Sequence, residues 1–222
     1  MHIIDTWQKN ASQLIAVAAG RDHAELVVQN CRLVNVNSRE ILDGWEVAII
    51  KGRFAYVWPS ASHCGGPDTT VFDAEGKFII PGLCDGHMHI ESGMLTPAEF
   101  AAAVIPHGTT TMFTDPHEIA NVLGLSGVKM LHDDAMMQPI IIFTKMPSCA
   151  PSAPGLETTG FEIGPEEVAE AMKWPGIVGL GEMMNYPGVI NCDDEIIKKV
   201  DNMVHPTEDG HRKLAEYLIG RL

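Results

Sequence analysis

The sequence predicts an α/β chain: a small β-rich region over residues 1–80, then about four βα units over 81–199, then a tail over 200–222. Three observations carry that reading. Residues 24–59 alternate short β-rich runs with turn residues. After Pro81, apolar strand-like runs alternate with helical segments about every 30 residues, the rhythm of a parallel sheet or barrel. A complete eight-unit barrel takes roughly 250 residues and only about 140 follow Pro81, so half a barrel, or a smaller open sheet, is expected.

Residues 5–20 suit a short helix, with Leu14, Ile15, Val17 and Ala18 as its apolar part. The following segment is punctuated at Asn37-Ser38 and Asp43-Gly44, and Lys51-Gly52 predicts a hairpin turn between "EVAII" and "RFAYVW". A small antiparallel sheet is expected there, with "VFDAEGKFIIPG" as a further strand pair. In the second region "FIIPGLCDGHMHI" reads as a strand. "TPAEFAAAVIPHG" reads as a helix with Thr96 at the N-cap, Pro97 at N1 and Glu99 at N3. "TTTMFTD", "QPIIIFTKMPS" and "GIVGLGEMMN" are strands. "PHEIANVLGLSGVKMLHDDAM", in one or two pieces, "GPEEVAEAMKW" and "DDEIIKKVDNM" are helices.

Composition narrows the function classes. The formal charge of -14 argues against a nucleic-acid partner and against docking on an anionic membrane, since both need a basic face. A hydrophobic share of 45% is enough for a packed core. Five cysteines at unrelated spacings, with no CxxC pair, suit free thiols in a reducing compartment. The first twenty residues lack the basic start and long apolar run of a leader or span, so a cytoplasmic location is expected.

Candidate chemistry gathers at predicted strand ends. His87 and His89 share one face if the strand continues through them, and two imidazoles there can share a divalent metal. Asp85 falls on that face and could orient a ligand. HxH alone is a weak signal, because two unrelated polar residues at a strand end look the same. Glu182 closes the buried run "IVGLG", where an uncompensated carboxylate costs several kcal/mol, so a metal or cation beside it is one reading and a solvent-facing strand end the other. In "TDPHEIANV" the plain reading is a cap: Asp115 at N-cap, Pro116 at N1, Glu118 at N3. His117 is left over, beside the presumed site. In the stiff loop "KMPSCAPSAPG", Ser148 and Cys149 could contact a ligand or simply shape the loop.

Together, "PGLCDGHMHIESGMLTPAEFAAAVIPHGTTTMFTDPHEIANVLG", "MPSCAP" and "GLGEMMNYPGV" resemble the adenine deaminases of the amidohydrolase superfamily, over about residues 5–199. The resemblance implies the N-terminal half of a metal-dependent (β/α)8 barrel with a flanking β-sandwich. It implies hydrolysis of adenine to hypoxanthine and ammonia, with Mn(II) or Fe(II) at a two-metal site. By motif, His87 and His89 would be metal ligands and Glu182 the carboxylate bridging both metals. His117, Glu118, Ser148 and Cys149 would lie near the purine. The family's remaining ligands, histidines of the fifth and sixth strands and an aspartate of the eighth, have no counterpart here. The isolated chain is therefore expected to be weakly active or inactive, and to self-associate through open sheet edges. A non-catalytic interaction module, or an amidohydrolase acting on another aminopurine or cyclic amide, are the alternatives. The tail, with Asp201, His205 and His211, resembles the C-terminal end of SGNH esterases without their spacing or their serine block.

Overall fold

A computed structural model describes residues 3–204 and divides the chain near Pro81 into two compact units. The N-terminal unit holds helix α1 (Ile3–Ala18) and strands β1 (Leu26–Asn35), β2 (Glu40–Ile50), β3 (Arg53–Trp58), β4 (Thr70–Asp73) and β5 (Phe78–Ile79). Lys51 and Gly52 both take left-handed φ, 50° and 67°, which is what a tight turn between β2 and β3 requires. Val17 of α1 packs with Val27, Ala48, Ile50, Ala61 and Cys64 in a common core.

The sheet runs β3-β2-β1-β4, with β5 also on β1, and it is mixed rather than antiparallel. β4 and β5 are not a hairpin pair. Each lies parallel to β1, β4 along Leu26–Gln29 and β5 along Arg32–Leu33, so they are successive pieces of one line. The turn between them steps over an irregularity in β1. There the register with β2 shifts between Val28 and Cys31, Asn30 has φ of 51°, and its carbonyl accepts the Gly76 N–H.

The second unit contains β6 (Leu83–Met88), α2 (Pro97–Val104), β7 (Thr109–Thr114), α3 (His117–Met136), β8 (Ile141–Met146), α4 (Pro165–Ala171), β9 (Ile177–Leu180), α5 (Tyr186–Ile190) and α6 (Asp194–Val204). The four strands are parallel and lie in chain order, β6-β7-β8-β9. Such sequential parallel order is that of a barrel wall, with helices covering one face. Met112 and Ile142 pack under Ala101 and Ala135, while Met146 packs with Ala120, Val128 and Val168.

Local signals place most ends. The Thr96 hydroxyl accepts the Glu99 N–H at 3.4 Å and Pro97 opens α2. The Glu167 carboxylate accepts the Gly164 N–H at 2.9 Å where α4 begins. α3 is two pieces joined at Gly124, whose φ of 59° breaks the helix. Other ends moved. The run through Pro81 is not one strand: Phe78–Ile79 joins the first sheet, and β6 starts only after Pro81, which has no N–H to give a ladder. β6 stops at Met88, so His89 stands just past it. β9 stops at Leu180, and α5 follows, capped by the Asn185 side chain on the Gly188 N–H. Among the described residues, no helix is long and apolar enough to cross a membrane.

Candidate metal centre

The C-terminal ends of the four parallel strands bring together side chains that are distant in sequence. The ring nitrogens Nε2 of His87 and His89 lie 2.9 Å apart. Glu182, just beyond β9, presents one carboxylate oxygen 3.3 Å from His89 Nε2 and the other 3.6 Å from His87 Nε2. One ligand atom from each of the three lies within 4.8 Å of the other two, and among the described residues no other His, Cys, Asp and Glu side chains form such a group.

Neighbours orient these groups. His89 Nδ1 is buried and lies 3.2 Å from Glu118 Oε2, without the alignment of a hydrogen bond. The Ser92 hydroxyl donates to the other Glu118 oxygen at 2.5 Å. The Lys145 ammonium stands 3.3 Å from His87 Nδ1 and donates to the Gly86 carbonyl at 3.2 Å. Asp85 acts on the His87 backbone, accepting its N–H at 3.1 Å, rather than on the ring.

Asp115 does not cap α3 as the sequence predicts. Pro116 occupies the N-cap position with no side-chain cap, and Glu118 turns to Ser92 and His89 instead of closing a box. The Asp115 carboxylate reaches across the sheet end and accepts the Glu182 N–H at 2.8 Å. The trade leaves α3 without a side-chain cap and gives the Glu182 N–H, beyond the end of the β9 ladder, a carboxylate partner. The Ser148 hydroxyl donates to the Glu182 carbonyl at 2.5 Å and touches Cys149 Sγ at 3.1 Å. Cys149 itself is buried and lines a separate cavity of about 390 Å³ with Asn185, Ile196 and Lys199. His117 is buried, and its Nε2 pairs with the Ser152 hydroxyl at 2.8 Å.

The electrostatics are those of a crowded acidic site. Burial, with Glu118 beside it, pushes the Glu91 carboxyl up to about 7. Burial also acts upward on Glu118, but the Ser92 hydroxyl, a backbone N–H, His89 and Glu91 outweigh it and hold Glu118 below the usual carboxylate range. Burial raises Asp115, against the pull of the Glu182 N–H and of His89 and His117.

The donor set fits a divalent cation. Two imidazole nitrogens and a carboxylate suit a borderline metal, and a histidine backed by a carboxylate on its far nitrogen is the usual support for such a ligand. A buried oxygen of Glu91 and one of Asp115 also lack hydrogen-bond partners among the described residues, which leaves unpaired polar atoms beside the three ligands. Glu91, Ser92 and Lys145 are site residues that the sequence reading passed over. Lys145 left a trace: it is the one charge inside the apolar run of β8. Glu91 and Ser92 left none, because they follow the strand in an irregular turn.

Comparison with known proteins follows the same line. The model of the amidohydrolase family matches residues 78–206. The chain is 68% identical over 195 residues to an adenine deaminase of Ruegeria pomeroyi, which covers 88% of this chain and 32% of that protein. It is 52% identical over 184 residues to an adenine deaminase of Moorella thermoacetica, covering 83% of this chain and 30% of that one. The chain thus spans about a third of the length of these relatives. Among solved structures, molinate hydrolase shares the fold with a TM-score of 0.54 at 16% identity, over 83% of this chain and 52% of that one. Atrazine chlorohydrolase TrzN from Arthrobacter aurescens, in complex with zinc, does so with a TM-score of 0.51 at 14% identity, over 66% and 41%.

Proposed function

The chain belongs to the amidohydrolase family, and from that premise we propose that it is the N-terminal part of an adenine deaminase, a hydrolase that converts adenine to hypoxanthine and ammonia. The observation that carries this is the convergence of His87, His89 and Glu182 at the strand ends, in a chain so similar to enzymes of that name.

His87, His89 and Glu182 would hold a divalent metal, Mn(II) or Fe(II) by the resemblance of the motifs, with Glu182 able to offer both oxygens. When bound, such a metal lowers the pKa of water and so supplies a hydrolytic nucleophile near neutral pH. Glu118 stands 3.2 Å from the far nitrogen of His89, where it would support the ring once Nε2 holds a metal. Glu118 also faces the open side of the site, where it can accept a hydrogen bond from a purine, and His117 lies one residue before it. Ser148 and Cys149, in the loop after β8, would lie near the purine by the resemblance of the motifs, and the Ser148 hydroxyl also ties the Glu182 carbonyl. Three ligands among the described residues do not close a two-metal centre. We therefore expect the chain alone to bind one metal, to deaminate adenine slowly or not at all, and to self-associate through the edges of β6 and β9, which no other described strand covers. A cytoplasmic role in purine salvage belongs to the same reading.

The test is ammonia release from adenine by the Mn(II)-loaded chain, with His87→Ala as control, alone and with the remaining two thirds of a close relative added in trans. Turnover that needs the added part and disappears with His87→Ala supports the reading. No turnover under either condition, with both parts folded, would favour a non-catalytic module.

A further inference from the structure

We infer that Asp115 and Ser148 are positioning residues that clamp the backbone of Glu182 and so aim its carboxylate at His87 and His89. The inference rests on the reading of Glu182 as a metal ligand.

Glu182 stands two residues beyond the end of β9, where the ladder to β8 gives out after the Gly181 N–H bonds the Met146 carbonyl. Its peptide groups would otherwise be free to swing. Instead both are tied by side chains from the ends of the two preceding strands. Asp115, the residue after β7, accepts the N–H, and Ser148, shortly after β8, donates to the carbonyl. Both side chains are rigidly held: Asp115 is 1% exposed and Ser148 fully buried.

Two further features mark the arrangement as built. Asp115 must pass over the end of β8 to reach Glu182, and it does so where Gly181 leaves room. A Cβ on Gly181 would meet both Asp115 carboxylate oxygens well inside contact distance. The choice of an aspartate is also costly for stability alone. Its second oxygen is buried with no hydrogen-bond partner among the described residues, whereas an asparagine could accept the same N–H without burying a charge. A group that is poor value for folding, yet fixed on the backbone of a ligand, belongs to the support of the site.

The experiment has two arms on the full chain. The first is metal-free and follows amide hydrogen exchange at Glu182 by NMR in the presence of a chelator. Asp115→Ala should speed exchange at Glu182 at least tenfold and leave Ile142 and Phe143 in the sheet centre unchanged. Asp115→Asn, which keeps an acceptor oxygen and guards against a misfolded alanine variant, should recover most of the protection. The second arm titrates Co(II) and reads its visible absorption. Asp115→Ala and Ser148→Ala should each weaken Co(II) binding tenfold or more and change the shape of the absorption band, while Asp115→Asn loses less. Unchanged exchange at Glu182 in Asp115→Ala overturns the clamp itself. Faster exchange with unaltered Co(II) affinity and spectrum overturns its role in aiming the ligand. If the unaltered chain and His87→Ala bind Co(II) equally poorly, the metal reading fails and the aim assigned to the clamp falls with it. The exchange arm would still report whether the hydrogen bond exists.

Discussion

Gly181 and Asp115 exclude each other's larger alternatives: the space a Gly181 side chain would need is filled by the Asp115 carboxylate. Gly181→Ala must therefore push Asp115 off the Glu182 N–H or shift the strand end. We expect a loss of about 1–3 kcal/mol, the usual penalty for overpacking a buried site. Urea unfolding measures it, and a variant as stable as the parent would show that the strand end yields freely.

Glu91 gives a pH dependence of known sign. Its folded pKa is raised, from 4.5 to about 7, so the folded chain holds a proton there that the unfolded chain releases. Stability from this group is complete below about pH 4.5 and is lost as pH rises toward 7. Glu91→Gln keeps a donor toward Glu118 and removes the ionisation. In chelator it should match the parent at pH 4.5 and exceed it by about 1–2 kcal/mol at pH 7.5, after allowing for solvent screening. Equal stability at both pH values contradicts this.

His132 gives the opposite slope. It is a buried residue of α3, its Nε2 hydrogen donated to the Pro175 carbonyl at 3.0 Å and its Nδ1 paired with the Thr144 hydroxyl at 3.0 Å. Burial lowers its pKa below 6.5, so the unfolded chain takes up a proton that the folded chain refuses. Its contribution is present above about pH 6.5 and fades as pH falls through the folded value. Thermal unfolding of His132→Gln should be less stable at pH 7.5 and show a shallower decline between pH 7 and 5 than the parent. A parallel decline would assign that slope to other groups.

Metal binding should appear as stability. A ligand that binds only the folded chain at a hundredfold its dissociation constant adds about 2.7 kcal/mol. Mn(II) or Co(II) should raise Tm, a chelator should reverse the rise, and His87→Ala or Glu182→Gln should abolish it. A rise that persists in both variants would place the metal elsewhere.

The sequence by itself determined what depends on near neighbours. Alternating strand and helix runs after Pro81, the Thr96 cap and the Lys51-Gly52 turn all follow from periodicity and backbone preference within a few residues, whereas the place of the break in α3, at Gly124, came from the structure. The three candidate ligands were only suggested locally, since HxH or a carboxylate at a strand end is a weak signal, and their joint role came from the resemblance of the motifs. Tertiary structure decided the partners. Asp115 had a local offer, the N-terminus of α3, and took the Glu182 N–H instead, 67 residues away. Ser148 likewise spends its hydroxyl on the Glu182 carbonyl, and β4 and β5 pair with β1 rather than with each other. The physical reason is common to all three. Each partner lies far along the chain, so which hydrogen bond the group makes is fixed only when the strands that carry donor and acceptor have assembled side by side.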